Sequence, residues 1–273
     1  MTTREKPFAP GTPCWVDVLS SDVEASKAFY GGLLGWDFEA GSEEFGGYVN
    51  ASSDGHRVAG IVPRRPEMGA IPDAWTTYIS TADIDATVAA ADAAGGQVMA
   101  APMQVGEMGS MAIVIDPAGG AFGVWQPGSH IGFGKYNEAG SVAWDEYHSK
   151  NFDATTAFYA AVFGWQIEPM SETDEFRYST AQVDGQDVAG LMDSHAFLPE
   201  EVPSHWAVYF NVADVDAAVA NVTELGGTVI RPAEDTPFGR IADAVDSTGA
   251  MFKLHSVTLA NGTSAASQAA PAE

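Results

Sequence analysis

The chain has 273 residues, 46% of them hydrophobic, and carries 37 acidic against 12 basic side chains, for a formal charge of −25. That length supplies two domains of ordinary size, each with its own core, while the negative field argues against nucleic acid or an anionic membrane surface as partner. Cys14 is the single cysteine, so no intramolecular disulfide forms, and with neither a signal-peptide apolar stretch nor a membrane-spanning run a cytoplasmic protein is expected.

In chain order, Cys14, Val16 and Val18 alternate with Trp15, Asp17 and Leu19, the period of a strand with one face on a core. Ser21-Asp-Val-Glu24 has the form of a capping box opening a helix that Gly35 ends. Short strands are expected around 36–39, 48–52 and 57–62, which makes the first unit β-α-β-β-β. A second unit repeats the order. Trp75, Thr77 and Ile79 alternate along a strand, and a helix runs from Asp83 with Ile84, Val88 and Ala91 at helical spacing to Gly95-Gly96. Strands near 97–100, 111–115 and 121–126 follow, the last two joined by the turn Asp116-Pro-Ala-Gly119. The glycine-rich segment 128–140 reads as a linker between a first domain, 10–127, and a second, 141–258. Residues 13–126 then recur in register as 142–256. Trp36 and Trp165 stand 129 residues apart, Trp75 and Trp206 131, and Asp116 and Asp246 130. The Ala/Ser/Gly-rich end, 259–273, is expected to be disordered.

The ordered set of a strand, an Asp, a helix ending Phe29-Tyr-Gly-Gly-Leu-Leu-Gly-Trp36, a second strand with Asp83, and Asp116-Pro-Ala-Gly119 resembles the vicinal oxygen chelate superfamily of glyoxalases, bleomycin-resistance proteins and extradiol dioxygenases. The likeness covers nearly the whole chain twice and is greatest to two-domain glyoxalase-like proteins of antibiotic-biosynthesis contexts. It implies an α+β fold of four βαβββ motifs forming cup-shaped mixed β-sheets around a small molecule. Metal-using members place ligands on the first, fifth and eighth strands of a domain. Counted onto this chain, those positions hold Trp15, Thr76 and Gly123, then Trp144, Ala207 and Lys253. Indole, methyl and ammonium groups are not cation ligands, so no metal ligand is assigned and no cofactor is expected, with a displaced divalent metal as the alternative.

Strand parity selects the cup-facing side chains. Trp15, Asp17, Tyr78 and Trp125 in the first domain, with Trp144 and Tyr209 in the second, are candidate ligand contacts, flat rings being suited to a planar ligand. Asp17 is open to a ligand hydroxyl, a cation or a cross-sheet salt bridge. Glu146, His148, His205 and His255 share the face of the second cup and form a candidate catalytic group for acid–base work, or a shifted metal site. The plainer alternative is a set of polar residues lining a wet cavity. His56, His130 and His195 fall in loops and are expected to be exposed. Trp36, Trp165, Trp75, Trp206 and the Phe29-Tyr30 and Phe158-Tyr159 pairs read as core. Leu19 stands where the second copy has His148, and Trp125 where it has His255, which suggests one active cup and one structural copy. The expectation is metal-independent binding of an aromatic or apolar metabolite, the alternative an enzyme of secondary metabolism or detoxification. Such a protein is a monomer or a homodimer.

Overall fold

The computed structural model describes residues 4–69, 71–173 and 175–257; the tail expected to be disordered, 259–273, lies outside them. The first module is β1 (Pro13–Ser20), α1 (Val23–Leu34), β2 (Asp37–Phe38), β3 (Val49–Ser53) and β4 (His56–Pro63). The second is β5 (Ala74–Ser80), α2 (Ile84–Ala93), β6 (Gln97–Val105), β7 (Gly109–Ile115) and β8 (Ala121–Pro127). The third is β9 (Val142–Ser149), α3 (Phe152–Phe163), β10 (Gln166–Glu172), β11 (Arg177–Val183) and β12 (Gln186–Asp193). The fourth is β13 (His205–Asn211), α4 (Val215–Glu224), β14 (Thr228–Thr236), β15 (Gly239–Val245) and β16 (Met251–Ser256). Modules pair into two sheets of eight strands, in the orders β2-β3-β4-β1-β5-β8-β7-β6 and β10-β11-β12-β9-β13-β16-β15-β14. No helix among the described residues is long and apolar enough to cross a membrane.

Each helix starts on a side chain that satisfies a free N–H. Asp22, Asp83, Asn151 and Asp214 accept from Ala25, Ala86, Ala154 and Ala217. The first cap is therefore Asp22, not the Ser21 of the expected capping box. The Ser21 hydroxyl instead donates to Asp73 at 2.6 Å. Gly35 and Gly164 end the first and third helices in the left-handed conformation, each at φ 69°, where a Cβ would be strained.

The cores do not follow the two sheets. One cluster joins Phe29, Tyr30 and Trp36 of the first module to Phe210, Val222 and Phe252 of the fourth. The other joins Ile84, Val88 and Phe122 of the second to Phe158, Tyr159 and Trp165 of the third. The sheets thus turn their backs to each other, and their cups open outward. A repeated polar lock ties the backs together. The Asp246 carboxylate accepts backbone N–H groups of its own turn from Thr248, Gly249 and Ala250 on Oδ1, and the Tyr30 hydroxyl of the other domain on Oδ2 at 2.8 Å. Trp75 Nε1 donates to that hydroxyl at 2.9 Å. Asp116, Tyr159 and Trp206 repeat the arrangement at 3.0 and 2.9 Å. Trp36 and Trp165 donate across the boundary to the carbonyls of Gly140 and Gly11. The eight aromatic positions expected in the core are there, and the polar atoms of the four tryptophans and two tyrosines take part in joining the domains.

Between the backs lies Asp145, 4% exposed, accepting from the Thr77 hydroxyl at 2.6 Å. Burial raises its pKa to about 7, partly offset by that hydrogen bond. A raised folded pKa gives stability that is fully present below the unfolded value, 3.8, and gone once pH has risen through 7. Asp145→Asn keeps the acceptor and loses the charge, so its urea midpoint is expected to fall less than wild type's between pH 4 and 8. Tyr159→Phe leaves the Trp206 N–H and one Asp116 oxygen short of a partner. It is expected to cost about 1–3 kcal/mol in urea unfolding, and Tyr30→Phe a similar amount; a loss near zero in both would remove the locks from the stability of the fold.

Candidate functional site

Register places the site. Asp17 pairs with Thr76 and Tyr78 with Gly123, so the cup face of the first sheet carries Trp15, Asp17, Tyr78 and Trp125. Glu146 pairs with Ala207, and Tyr209 with Lys253, which puts Trp144, Glu146, His148, His205, Tyr209 and Lys253 on the cup face of the second.

Both cups hold the same web. In the first, Trp15 Nε1 donates to the Tyr48 hydroxyl at 2.8 Å, Tyr48 donates to Asp17 at 3.4 Å, and Tyr78 donates to Asp17 as well. In the second, Trp144 Nε1 donates to the Tyr178 hydroxyl at 3.2 Å, Tyr178 donates to Glu146, and Tyr209 donates to Glu146 Oε1 at 2.7 Å. Gly60 and Gly190 are required beneath the two outer tyrosines, because an added Cβ would fall on the hydroxyl of Tyr48 or of Tyr178. Tyr48 and Tyr178 were not among the expected site residues. Their signal was present, since they stand 130 residues apart, in step with the rest of the repeat.

The first cup is covered by its own chain. Residues 128–140 cross it, held by the Phe133 N–H on the Cys14 carbonyl at 2.9 Å and by buried Lys135 on Ser53, Asp54 and the Ala139 carbonyl. Phe133 lies 5.6 Å from Trp15, and the His130 ring stands edge-on 4.4 Å from Trp15 and 5.4 Å from Trp125. The contacts expected of Trp15 and Trp125 with a ligand are therefore met by the chain itself. His130, expected to be exposed, is buried, and burial with the nearby Arg57 charge holds its pKa at about 4. Asp17 forms no salt bridge to Lys or Arg. Burial raises it to about 7 against the two tyrosine hydrogen bonds, so in neutral solution the neutral and ionised forms both occur.

The second cup differs in charge. Glu146 is 6% exposed, and burial would raise its pKa, but the hydrogen bond and charge of His148, the Lys253 ammonium and the Tyr209 hydroxyl bring it down to about 2. His148 Nε2 lies 2.9 Å from Glu146 Oε1, and Lys253 Nζ bonds Asp243 at 3.0 Å and sits 5.3 Å over the Tyr209 ring. At the mouth, Phe176 stacks on Tyr178 at 5.7 Å and Phe238 lies 6.2 Å from Tyr178. Phe176 and Phe238 are 39% and 54% exposed. The position of Phe238 in the first copy is held by Met108, whose carbonyl is taken by the N–H groups of Gly128 and His130.

The expected catalytic group comes together in part. His205 stacks on His148 with centroids 5.1 Å apart, and its Nδ1 is 3.0 Å from the Pro203 carbonyl. His255 does not join them. Its Nδ1 lies 2.8 Å from the Asn211 side-chain oxygen and its Nε2 3.0 Å from the Phe238 carbonyl, so it braces the hairpin that carries Phe238.

The residues do not fit a divalent metal in the usual place, where Trp144, Ala207 and a Lys253 already paired with Asp243 stand. A shifted site fits no better. Rings stacked at 19° direct their in-plane lone pairs along parallel planes that do not converge, and no group of three His, Cys, Asp or Glu among the described residues is arranged to hold an ion.

The fold is shared with metal enzymes. The family model of the Glyoxalase/Bleomycin resistance protein/Dioxygenase superfamily matches residues 14–124 and again 146–254, and the chain belongs to that superfamily. Among its relatives, the anthracycline biosynthesis protein DnrV of Streptomyces peucetius is 38% identical over 266 residues, covering 90% of this chain and 94% of that one. CFP32 of Mycobacterium tuberculosis is 37% identical over 257 residues, covering 92% and 97%. Of solved structures, a Mn(II)-bound glyoxalase from Novosphingobium aromaticivorans aligns with a TM-score of 0.63 at 16% identity, covering 90% of this chain and 81% of that chain. The 2,3-dioxygenase LapB of Pseudomonas sp. KL28 aligns at 0.62 and 15%, covering 89% and 91%.

The depressed pKa of Glu146 has a measurable consequence. Its stabilisation is fully present above the unfolded value of 4.5 and lost as pH falls through 2. Glu146→Gln is expected to flatten acid unfolding over that window when followed by near-ultraviolet circular dichroism. An unchanged acid limb would show that the carboxylate is not held as an ion.

Proposed function

We propose that the second cup binds a planar aromatic small molecule without a divalent metal in the superfamily's usual position. The observation that carries this reading is the file of rings Phe176, Tyr178 and Phe238 leading from solvent to a buried, ionised carboxylate, in a cup that no segment among the described residues crosses as residues 128–140 cross the first. Exposed aromatic surface over a polar floor is the composition of a small-molecule site. The relation to DnrV, named for anthracycline biosynthesis, supports a fused-ring ligand. The first cup acts as scaffold, its aromatic face spent on Phe133 and His130.

A second reading, an acid–base enzyme of secondary metabolism, is favoured by one observation. His148 is oriented by a carboxylate through Nε2, the arrangement that prepares the other ring nitrogen for proton transfer.

Isothermal titration of the dialysed protein with planar aromatic compounds tests the binding reading alongside elemental analysis. Saturable binding by metal-free protein is expected, weakened about tenfold or more in Phe238→Ala, a loss of about 1.4 kcal/mol, and unchanged in Phe133→Leu. Stoichiometric iron, zinc, nickel or manganese whose removal abolishes binding would overturn the metal-independent part. Turnover lost in His148→Gln with affinity retained would favour the enzyme.

A further inference from the structure

Two buried polar atoms on the face of the second cup have no hydrogen-bond partner among the described residues: His148 Nδ1 and Thr180 Oγ1. Thr180 pairs with Gly190 and Gly190 with Glu146, so Thr180 shares the carboxylate's face two strands away. A buried polar atom left unpaired is costly, and two on one concave face point to a polar occupant. The tautomer of His148 follows from its neighbour. Glu146 is acceptor-only as an ion, so the Nε2 nitrogen 2.9 Å away carries the proton and donates. Nδ1, buried and without a partner among the described residues, is then the ring nitrogen left for a ligand.

We propose that His148 Nδ1 is the acceptor for an acidic hydroxyl, so that the ligand of the second cup is a phenol or hydroxyquinone and is bound as its phenolate. This deepens the reading of that cup as an aromatic-ligand site and rests on it. The proton leaves the ligand oxygen and bonds to Nδ1. The resulting imidazolium is paired with Glu146, and the oxyanion lies in a cup that also holds the Lys253 ammonium.

The surrounding titratable groups agree with a single proton acceptor. Burial holds stacked His205 at about 4, so it stays neutral and does not compete for the proton. Tyr178 and Tyr209 donate to Glu146, and burial raises both further above the ordinary tyrosine range, so neither takes up a proton from a ligand. Asp243 is engaged by Lys253 and Arg231. The first cup has no such acceptor, since Leu19 stands at the position of His148.

The test uses the full chain with two probes that differ by one methyl group, 2-hydroxyanthraquinone, whose absorption moves to longer wavelength on ionisation, and 2-methoxyanthraquinone. At a pH below the free phenol's own ionisation, wild type is expected to bind the phenol about tenfold or more tighter than the ether and to show the ionised band in the complex. His148→Gln keeps a donor toward Glu146 but has no Nδ1, and is expected to bind both probes alike with the neutral band. His148→Ala, checked for folding by circular dichroism, is expected to do the same. A neutral band in the wild-type complex, equal affinity of wild type for the two probes, or an ionised band retained in His148→Gln would overturn the phenolate proposal and leave aromatic binding standing. If folded wild type binds neither probe, the aromatic-site reading falls and this proposal with it.

Discussion

A carboxylate at the floor of each cup, taken out of water and held by two tyrosine hydroxyls, is the constraint around which this molecule is arranged. Burial disfavours the ion, so the charge state depends on what else the sheet supplies. The first cup supplies no cation within the web, and Asp17 is raised to about 7. The second supplies His148 and Lys253, and Glu146 stays ionised down to about 2. One web, present in both copies, thus raises the carboxyl's pKa in one cup and lowers it in the other.

Closure follows from how the sheets are joined. First-module residues pack on the fourth module and second-module residues on the third, so the backs are shared and each cup faces outward. The connection from the end of β8 to the start of β9 crosses the first cup, and there Phe133 and His130 meet Trp15 and Trp125. A segment needed to join two domains serves as the cover of one. At the corresponding hairpin of the second cup, the Phe238 carbonyl is bound by His255 from the same sheet, which leaves the Phe238 ring exposed.

Much of this was legible in the residues. The repeat placed four modules, and alternation assigned Val16 and Val18 to the core and Glu146 and His148 to the cup, because a strand's side-chain period is fixed by its pleat. Three things were not legible. Ser21 and Asp22 are both good caps, and only the path out of β1, which turns Ser21 to Asp73, selects Asp22. His130 sits in a glycine-rich stretch that looks exposed until the cup beneath it is known. His255 has the parity of His148, but its nitrogens are taken by Asn211 and Phe238, partners that come from separate strands and turns.

The chain's own pattern determined the class of fold and the side of each strand that faces a cup, because these depend on local periodicity and residue type. The path of residues 128–140 over the first cup, the opposite pKa shifts of the two carboxyls and the histidine nitrogen left without a partner among the described residues were decided only by tertiary structure. Each depends on the distance between groups far apart in the chain, and desolvation and hydrogen bonding act through that distance, not through sequence order.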